Sequence, residues 1–325
     1  MVDFTVAIPT YNGEHRLPEV LERLRSQFID PSLLDLFDLN AFTWEVIVID
    51  NNSQDGTAQV VKAFQSDFPC PLRYCLELQQ GAGFARKRAI EESHSALVGF
   101  LDDDNLPDQH WVMSAYQFAQ LYPKAGAIAS RIQGQFEVEP PPEFKQILPF
   151  LAITERGSQP LQYNSSKRVL PPSAGLVVRR SVWLENVPSH TILGGRVDGN
   201  MLTGEDTEVL AHIHRSGWEI WYNPAMLIQH QIPAWRLERA YLIPFFRGIG
   251  LSRYVTRMSG LKPWQRSVMS LAYTMNDLRK VIQHWLKHRR QLKTNLVAAC
   301  EMELLFSSLL SPFYLWQKGY FAQPK

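Results

Sequence analysis

The stretch WEVIVIDNNSQDGT, from Trp44 to Thr57, carries the pattern that decides the fold. Its first six residues are a short run of β-branched and apolar side chains, the signature of a buried strand. The run stops at Asp50. NNSQDGT then supplies turn chemistry, and Ser53 or Asp55 is expected to cap a helix over residues 58–68. Working outward, FTVAIP (residues 4–9) is a second buried strand. Leu17, Val20, Leu21, Leu24 and Phe28 recur at helical spacing over residues 14–28. Residues 31–42 break the pattern and read as a loop insertion. A third strand is expected over 72–78, a helix opened by a Gly-rich turn over 81–92, and a fourth strand, ALVGFL, over 96–101. That strand runs into Asp102-Asp103-Asp104, and a helix is expected over 107–121.

Strands alternating with helices imply βαβ units, a mostly parallel sheet and right-handed crossovers. In such sheets ligands bind at the carboxyl ends of the strands. Thr10-Tyr11-Asn12, Asp50 and Asp102 to Asp104 all stand at such ends and so belong to one site. Beyond them, the Pro-rich residues 137–162 read as a loop crossing the surface. A short strand is expected over 174–178, closed by Arg179-Arg180, and a helix over 204–216. Two short strands are expected over 218–222 and 226–228, with Asn223-Pro224 turning between them. Helical patterns fill the chain from Trp235 to about residue 317.

At 325 residues, 45% hydrophobic and 20% charged with a net charge of +1, the chain has the composition of a folded globular protein. Disorder, collagen-like repeats and a disulfide-stapled miniprotein are excluded. Cys70, Cys75 and Cys300 form no C-x-x-C pair, so reduced thiols in a cytoplasmic protein are expected. No basic region followed by an apolar one opens the chain, so no secretory signal is expected. The most apolar stretch, Leu296 to Trp316, is interrupted by Glu301, Glu303 and Pro312 and reads as a buried or interfacial segment. Charge is unevenly spread. Residues 231–293 hold thirteen Lys and Arg against Glu238 and Asp277, a net +11, which leaves −10 for the remainder. Phosphates, anionic lipid headgroups and nucleic acid are the generic partners of such a segment. A solvated helical face is the bland alternative, and a helical cap over the domain or a dimer interface is another.

Three adjacent carboxylates at a strand end repel one another unless a cation relieves them. Hard cations such as Mg²⁺ and Mn²⁺ use one or two carboxylates together with phosphate oxygens. Asp50 suits either a turn or a ribose hydroxyl. Gly81 and Gly83 precede a helix whose first turns carry Arg86, Lys87 and Arg88. Backbone N–H groups favour an anion there, and cations so placed work against the helix dipole, which points to a functional reason for them. Glu205-Asp206 opens another helix, where acids suit the dipole, or where one serves as general base. His230 closes an apolar run and suits a metal or an ordinary polar strand end.

Residues 4 to 230 resemble family 2 glycosyltransferases through an ordered set of motifs: VAIPTYN (6–12), VIVIDNNSQDGT (46–57), GAGFARKRA (81–89), FLDDDN (100–105), PSAGLVVRR (172–180), GEDTEVLAHIHRSGW (204–218) and the closing His230. The resemblance implies a GT-A fold over residues 1–232, a Rossmann-like, mostly parallel α/β sheet flanked by helices. Residues 233–325 would form a basic helical C-terminal extension. It implies a nucleotide-diphospho-sugar donor. Pro9, Thr10, Tyr11 and Asn12 would lie near the base and Asp50 on base or ribose. Gly81, Arg86, Asp102 and Asp103 would line the donor site, and Gly175 would border the acceptor. Asp104, with His230, would hold Mn²⁺ or Mg²⁺. Asp206 would be the catalytic base, with Glu205 its neighbour. Processive members carry Q-x-x-R-W and transmembrane helices; neither is read here, so addition of one sugar with inversion is implied. The expected setting is cytoplasmic, at the inner face of a membrane if the basic extension engages it, with a saccharide or lipid-linked acceptor and no nucleic acid. Two other readings stay open. A nucleotidyltransferase is disfavoured by Thr10-Tyr11-Asn12-Gly13-Glu14, where a Gly- and Arg/Lys-rich loop is usual. A non-catalytic nucleotide-sugar or membrane-binding scaffold would lack the acidic motifs, which are intact.

Overall fold

The computed structural model describes residues 2–29, 42–163, 170–196 and 201–321. The loop insertion expected over 31–42 lies outside the described residues except for Phe42. The first half of the chain is β1 (Phe4–Thr10), α1 (Leu17–Arg25), β2 (Trp44–Asp50), α2 (Thr57–Phe64), β3 (Leu72–Leu76), α3 (Ala82–Glu92) and β4 (Leu97–Phe100). β5 (Asn105–Pro107), α4 (Trp111–Leu121) and β6 (Ala125–Phe136) follow. β7 (Leu161–Gln162), β8 (Val177–Arg179), α5 (Arg180–Asn186), α6 (Glu205–Arg215) and β9 (Glu219–Ile232) complete the sheet. The chain ends in α7 (Arg239–Ser259), α8 (Pro263–His288) and α9 (Leu296–Gln317).

The strands form one mixed sheet in the order β3-β2-β1-β4-β8-β6-β9-β5, with β7 also on β9. The longer pairings, β1 with β2, β3 with β2, β4 with β1 and β6 with β9, are parallel. Alternation along the strands splits the core. Phe4, Val6 and Ile8 with Val46 and Val48 face α1 and α4, whereas Ala7, Ile47 and Ile49 face α3, α5 and α6.

Register places the site. Thr10 pairs with Asp50, so the ends of β1 and β2 are level. β4 pairs with β1 up to Ala7–Phe100, and Leu101 N–H donates to Ala7 O at 3.0 Å, which carries the Asp triplet alongside Pro9 and Thr10. β8 runs antiparallel to β4, and Phe100 N–H donates to Leu176 O at 2.8 Å, bringing residues 173–176 to the same edge. Asn105 pairs with His230 across β5 and β9, which sets His230 beside Asp104.

Several expectations change. α2 starts from Gly56, not from Ser53 or Asp55. Asp55 Oδ1 does accept Thr57 N–H at 3.1 Å, while Ser53 Oγ accepts Asn12 N–H. Residues 105–107 are strand, so α4 begins only at Trp111. β6 has no counterpart in the sequence reading. Its Ala- and Gly-rich AGAIASRIQGQF lacks the β-branched run that marks a strand. Glu219–Ile232 is one strand: a register shift after Ser130–Asn223 absorbs Pro224 as a bulge where a turn was expected. The Pro-rich stretch contains two 3₁₀ turns, and their Phe144, Ile147 and Leu151 are buried against Leu242, Phe246 and Cys300 of α7 and α9.

Trp111 is the largest fully buried side chain. It packs edge-on to Phe4 and donates from Nε1 to Ser130 Oγ at 2.9 Å; Ser130 Oγ donates in turn to Gly175 O at 2.6 Å. Trp111→Ala should cost about 3–5 kcal/mol in urea unfolding, the range for a buried aromatic. Trp264→Ala, at a site 75% exposed, should stay within about 0.5 kcal/mol.

Candidate active site

Each carboxylate of the triplet meets its own arginine. Asp102 Oδ1 accepts from Arg86 Nη2 at 3.0 Å. Asp103 accepts from Arg16 Nε at 2.9 Å, from Arg16 Nη2 at 3.0 Å and from Thr10 Oγ1 at 2.6 Å. Asp104 Oδ2 accepts from Arg236 Nη1 at 3.0 Å, with His230 Nε2 at 3.4 Å. The three arginines come from the turn before α1, from α3 and from the 3₁₀ turn after β9. Burial raises the Asp103 carboxyl against the pull of Arg16. Burial would raise Asp104 too, but His230 and Arg236 hold it well below the usual carboxylate range.

Arg86 links this cluster to α6. Its Nη1 donates to Glu205 Oε1 at 2.8 Å. It is buried, yet its attraction to Asp102 and Glu205 raises its pKa. Arg86 Nε and Glu205 Oε2 are buried with no partner among the described residues. Next to Glu205, Asp206 Oδ1 accepts Thr207 N–H at 2.7 Å and Oδ2 accepts Ser173 N–H at 3.1 Å. Burial and then the neighbouring Glu205 push the Asp206 carboxyl up to about 6. A cavity lined by Arg86, Phe100, Ser173, Glu205 and Asp206 opens beside this pair.

The loop after β1 is tied down by hydrogen bonds between side chains and backbone N–H groups. Asn12 sits at φ 49°, where an Asn is tolerated, and its Oδ1 accepts Gln54 N–H at 2.9 Å. Asp50 is buried; it accepts Ser53 N–H at 2.8 Å and Tyr74 O–H at 2.7 Å, and Tyr74 is pushed up to about 12 by burial and by Asp50. Asn51 reaches across to Glu77 O, Gln79 O and Gly81 N–H. Gly81 has φ 134° and a Cβ there would lie 2.4 Å from Gly194 O, so no other residue fits. Gly175, at φ 63°, would drive a Cβ to 2.1 Å from Ile228 Cδ1.

The structure thus brings Thr10, Arg86, Asp102, Asp103, Asp104, Glu205, Asp206 and His230 into one charged network. Pro9, Tyr11, Asn12, Asp50 and Gly81 lie around it, and Gly175 belongs to the 173–176 segment that touches Asp206. Arg16 and Arg236 were not singled out from sequence. No local pattern marks Arg16; Arg236 was visible only as one cation among the thirteen.

A carboxylate and an imidazole this close form a donor set that Mn²⁺ or Mg²⁺ accepts, with phosphate oxygens completing the shell. Among the described residues no group of three or more His, Cys, Asp or Glu is poised for a metal. Arg236 Nη1 stands 3.0 Å from Asp104 Oδ2 and 3.2 Å from His230 Nε2. The pair fits an ion once that guanidinium turns aside.

A strand-end site on a mixed α/β sheet is where folds of this class bind their ligands. The family model for glycosyl transferase family 2 matches residues 5–181, and the chain belongs to that family and is a glycosyltransferase. It is 27% identical over 249 residues to glycosyltransferase AglE of Haloferax volcanii, covering 73% of this chain and 76% of that protein. The fold matches mannosyltransferase PcManGT from Pyrobaculum calidifontis, solved with GDP-Man and Mn²⁺, at TM-score 0.58 and 17% identity over 97% of this chain and 87% of that one. It matches S. aureus TarS 1–349, solved with UDP-GlcNAc, at TM-score 0.56 and 14% identity over 98% and 92%. Family membership decides for the glycosyltransferase over the nucleotidyltransferase and scaffold readings.

Because Asp206 binds its proton more tightly folded than unfolded, it adds stability at low pH that is lost as pH rises through about 6. Asp206→Asn should therefore raise Tm at pH 8 relative to the parent chain, with the gain shrinking toward pH 4. An equal Tm difference at both pH values contradicts the burial argument.

Proposed function

We propose that this chain transfers one sugar from a nucleotide-diphospho-sugar to a hydroxyl of a saccharide or lipid-linked acceptor, with inversion, aided by Mn²⁺ or Mg²⁺. The observation that carries the reading is Asp206: a half-buried carboxylate that lines a cavity, is raised to about 6, and is joined through Glu205 and Arg86 to the Asp triplet. Fold neighbours solved with GDP-Man and Mn²⁺ and with UDP-GlcNAc support the donor class.

The reaction follows from charge. Asp206, ionised above about pH 6, takes the acceptor's hydroxyl proton as that oxygen attacks the anomeric carbon. The new C–O bond forms on the face opposite the diphosphate, the old C–O bond breaks, and the nucleoside diphosphate leaves with the bonding pair. One displacement inverts the anomeric centre. Arg86, with its Nε unpartnered among the described residues, supplies positive charge for the diphosphate. Asp104 and His230 would hold the divalent ion, which draws off charge gathering on the leaving group. Peripheral contact with an anionic membrane, where a lipid-linked acceptor would lie, is part of the same proposal.

Asp206→Asn should lower kcat by about 10²–10⁴, the range for a general base, with donor affinity kept. In the parent enzyme kcat/KM should rise with pH through about 6 and then level; a flat profile removes Asp206 from this role. UDP, GDP, dTDP and CDP, each tested with and without Mn²⁺ by thermal shift, should single out one nucleotide that stabilises only with metal.

Arg236→Ala, read by Mn²⁺ titration without donor, should tighten metal binding by roughly tenfold or more, since hydrogen bonds to charged groups carry about 1.5–3 kcal/mol. Asp104→Ala should abolish Mn²⁺-dependent donor binding. Unchanged Mn²⁺ affinity in Arg236→Ala means the ion binds elsewhere.

A further inference from the structure

Helix α8 is amphipathic the wrong way round. Its inward face is held by polar contacts: Asp277, buried, takes Arg257 Nη2 at 3.0 Å from α7, and His284 Nε2 lies 2.9 Å from Ala298 O of α9. Its outward face carries Trp264, Val268, Leu271, Met275, Ile282 and Trp285, spaced by three, four or seven residues and so on one side of the helix. Trp264 is 75%, Val268 72%, Met275 66% and Leu271 65% exposed. The helix has 26 residues, and the stripe from Trp264 to Trp285 runs about 32 Å along it. Burial inside this chain does not account for so long an apolar face, and faces of this size mark interaction surfaces.

Charge says what covers it. The only acid on α8 is Asp277, which is buried and paired, whereas Arg266, Arg279, Lys280 and Lys287 are cations and Arg289 and Arg290 follow directly. Lys280 and Lys287 share a groove with Glu143 and Glu301, whereas Arg279 borders the stripe and Arg289 and Arg290 follow its Trp285 end; an apolar stripe with Trp near both ends, so flanked and with no exposed acid on its own helix, is the pattern of a helix lying in an anionic lipid interface. A second copy is a poor fit: a two-fold contact lays the patch on itself and sets these cations against each other. Helix α9 is long and apolar enough to cross a membrane, but its Val297, Cys300 and Leu304 are buried against Leu242, Phe245 and Phe246 of α7. It is α8, outside the core, that faces outward along its length.

We infer that the outer face of α8 docks this enzyme in the plane of an anionic membrane, with its apolar stripe in the headgroup–acyl boundary and its cations on lipid phosphates. This deepens the proposed membrane contact and does not depend on the transfer chemistry. The test is flotation of the full chain with phosphatidylglycerol-containing vesicles and with pure phosphatidylcholine vesicles, at low and high salt. The parent chain should float with the anionic vesicles at low salt, less at high salt, and little with neutral ones. The double variant Leu271→Gln/Met275→Gln, shown to be folded by circular dichroism and melting, should bind the anionic vesicles at least about tenfold more weakly. Its turnover of a water-soluble acceptor should be unchanged, which separates loss of docking from loss of chemistry. A parent chain that ignores anionic vesicles at low salt overturns the inference, as does a variant that binds them equally. A parent dimer that the variant dissolves, without vesicle binding, assigns the face to a second copy instead.

Discussion

Three consecutive carboxylates at the end of β4 cannot be gathered into a largely buried site without positive charge beside each, and the architecture is organised around meeting that demand. Arg86, Arg16 and Arg236 come from three separate segments, one for each of Asp102, Asp103 and Asp104. Each pairing also ties an element to the sheet edge. Arg16 fixes the loop after β1, Arg86 joins α3 to α6 through Glu205, and Arg236 draws the start of the C-terminal helices onto β9. A buried pair of this kind stabilises little by itself, but removing one partner leaves an uncompensated charge. The network therefore works as a specification of geometry more than as a source of stability.

The same network separates the roles of neighbouring acids. Asp104 faces His230 and Arg236 and stays ionised far into acid. Asp206 is half-buried next to another carboxylate, and its proton is held to about pH 6. Environments that differ in this way keep two carboxylates of one site in different protonation states. The orphaned atoms Arg86 Nε, Glu205 Oε2 and His230 Nδ1 lie in this same region, where a polar ligand would satisfy them.

The C-terminal helices are built into the fold. Phe144, Ile147 and Leu151 of the Pro-rich stretch, Ile232 of β9 and Leu242, Phe245 and Phe246 of α7 share one apolar cluster with α9. Helix α8 lies outside that cluster, fastened by Asp277 and His284 and apolar on the outside. Placing an apolar face outward costs free energy in water, and a lipid surface offsets that cost.

The sequence by itself determined the parallel half of the sheet. Buried strands such as FTVAIP and WEVIVI are apolar on both faces, and that pattern is local enough to read from either run alone. It also placed Asp50 and Asp102 to Asp104 at strand ends, because the strand stops where the polar residues begin. Tertiary structure decided the rest. β6 was hidden because alanine and glycine carry little strand signal, and its place comes from β8 and β9 on either side. Pro224 reads as a turn until the long pairing with β6 absorbs it as a bulge. Arg16 and Arg236 are ordinary cations in sequence; they become part of the site only when register brings them to Asp103 and Asp104. Charge pairing acts through space across separations of 87 and 132 residues, and no local pattern encodes a contact of that kind.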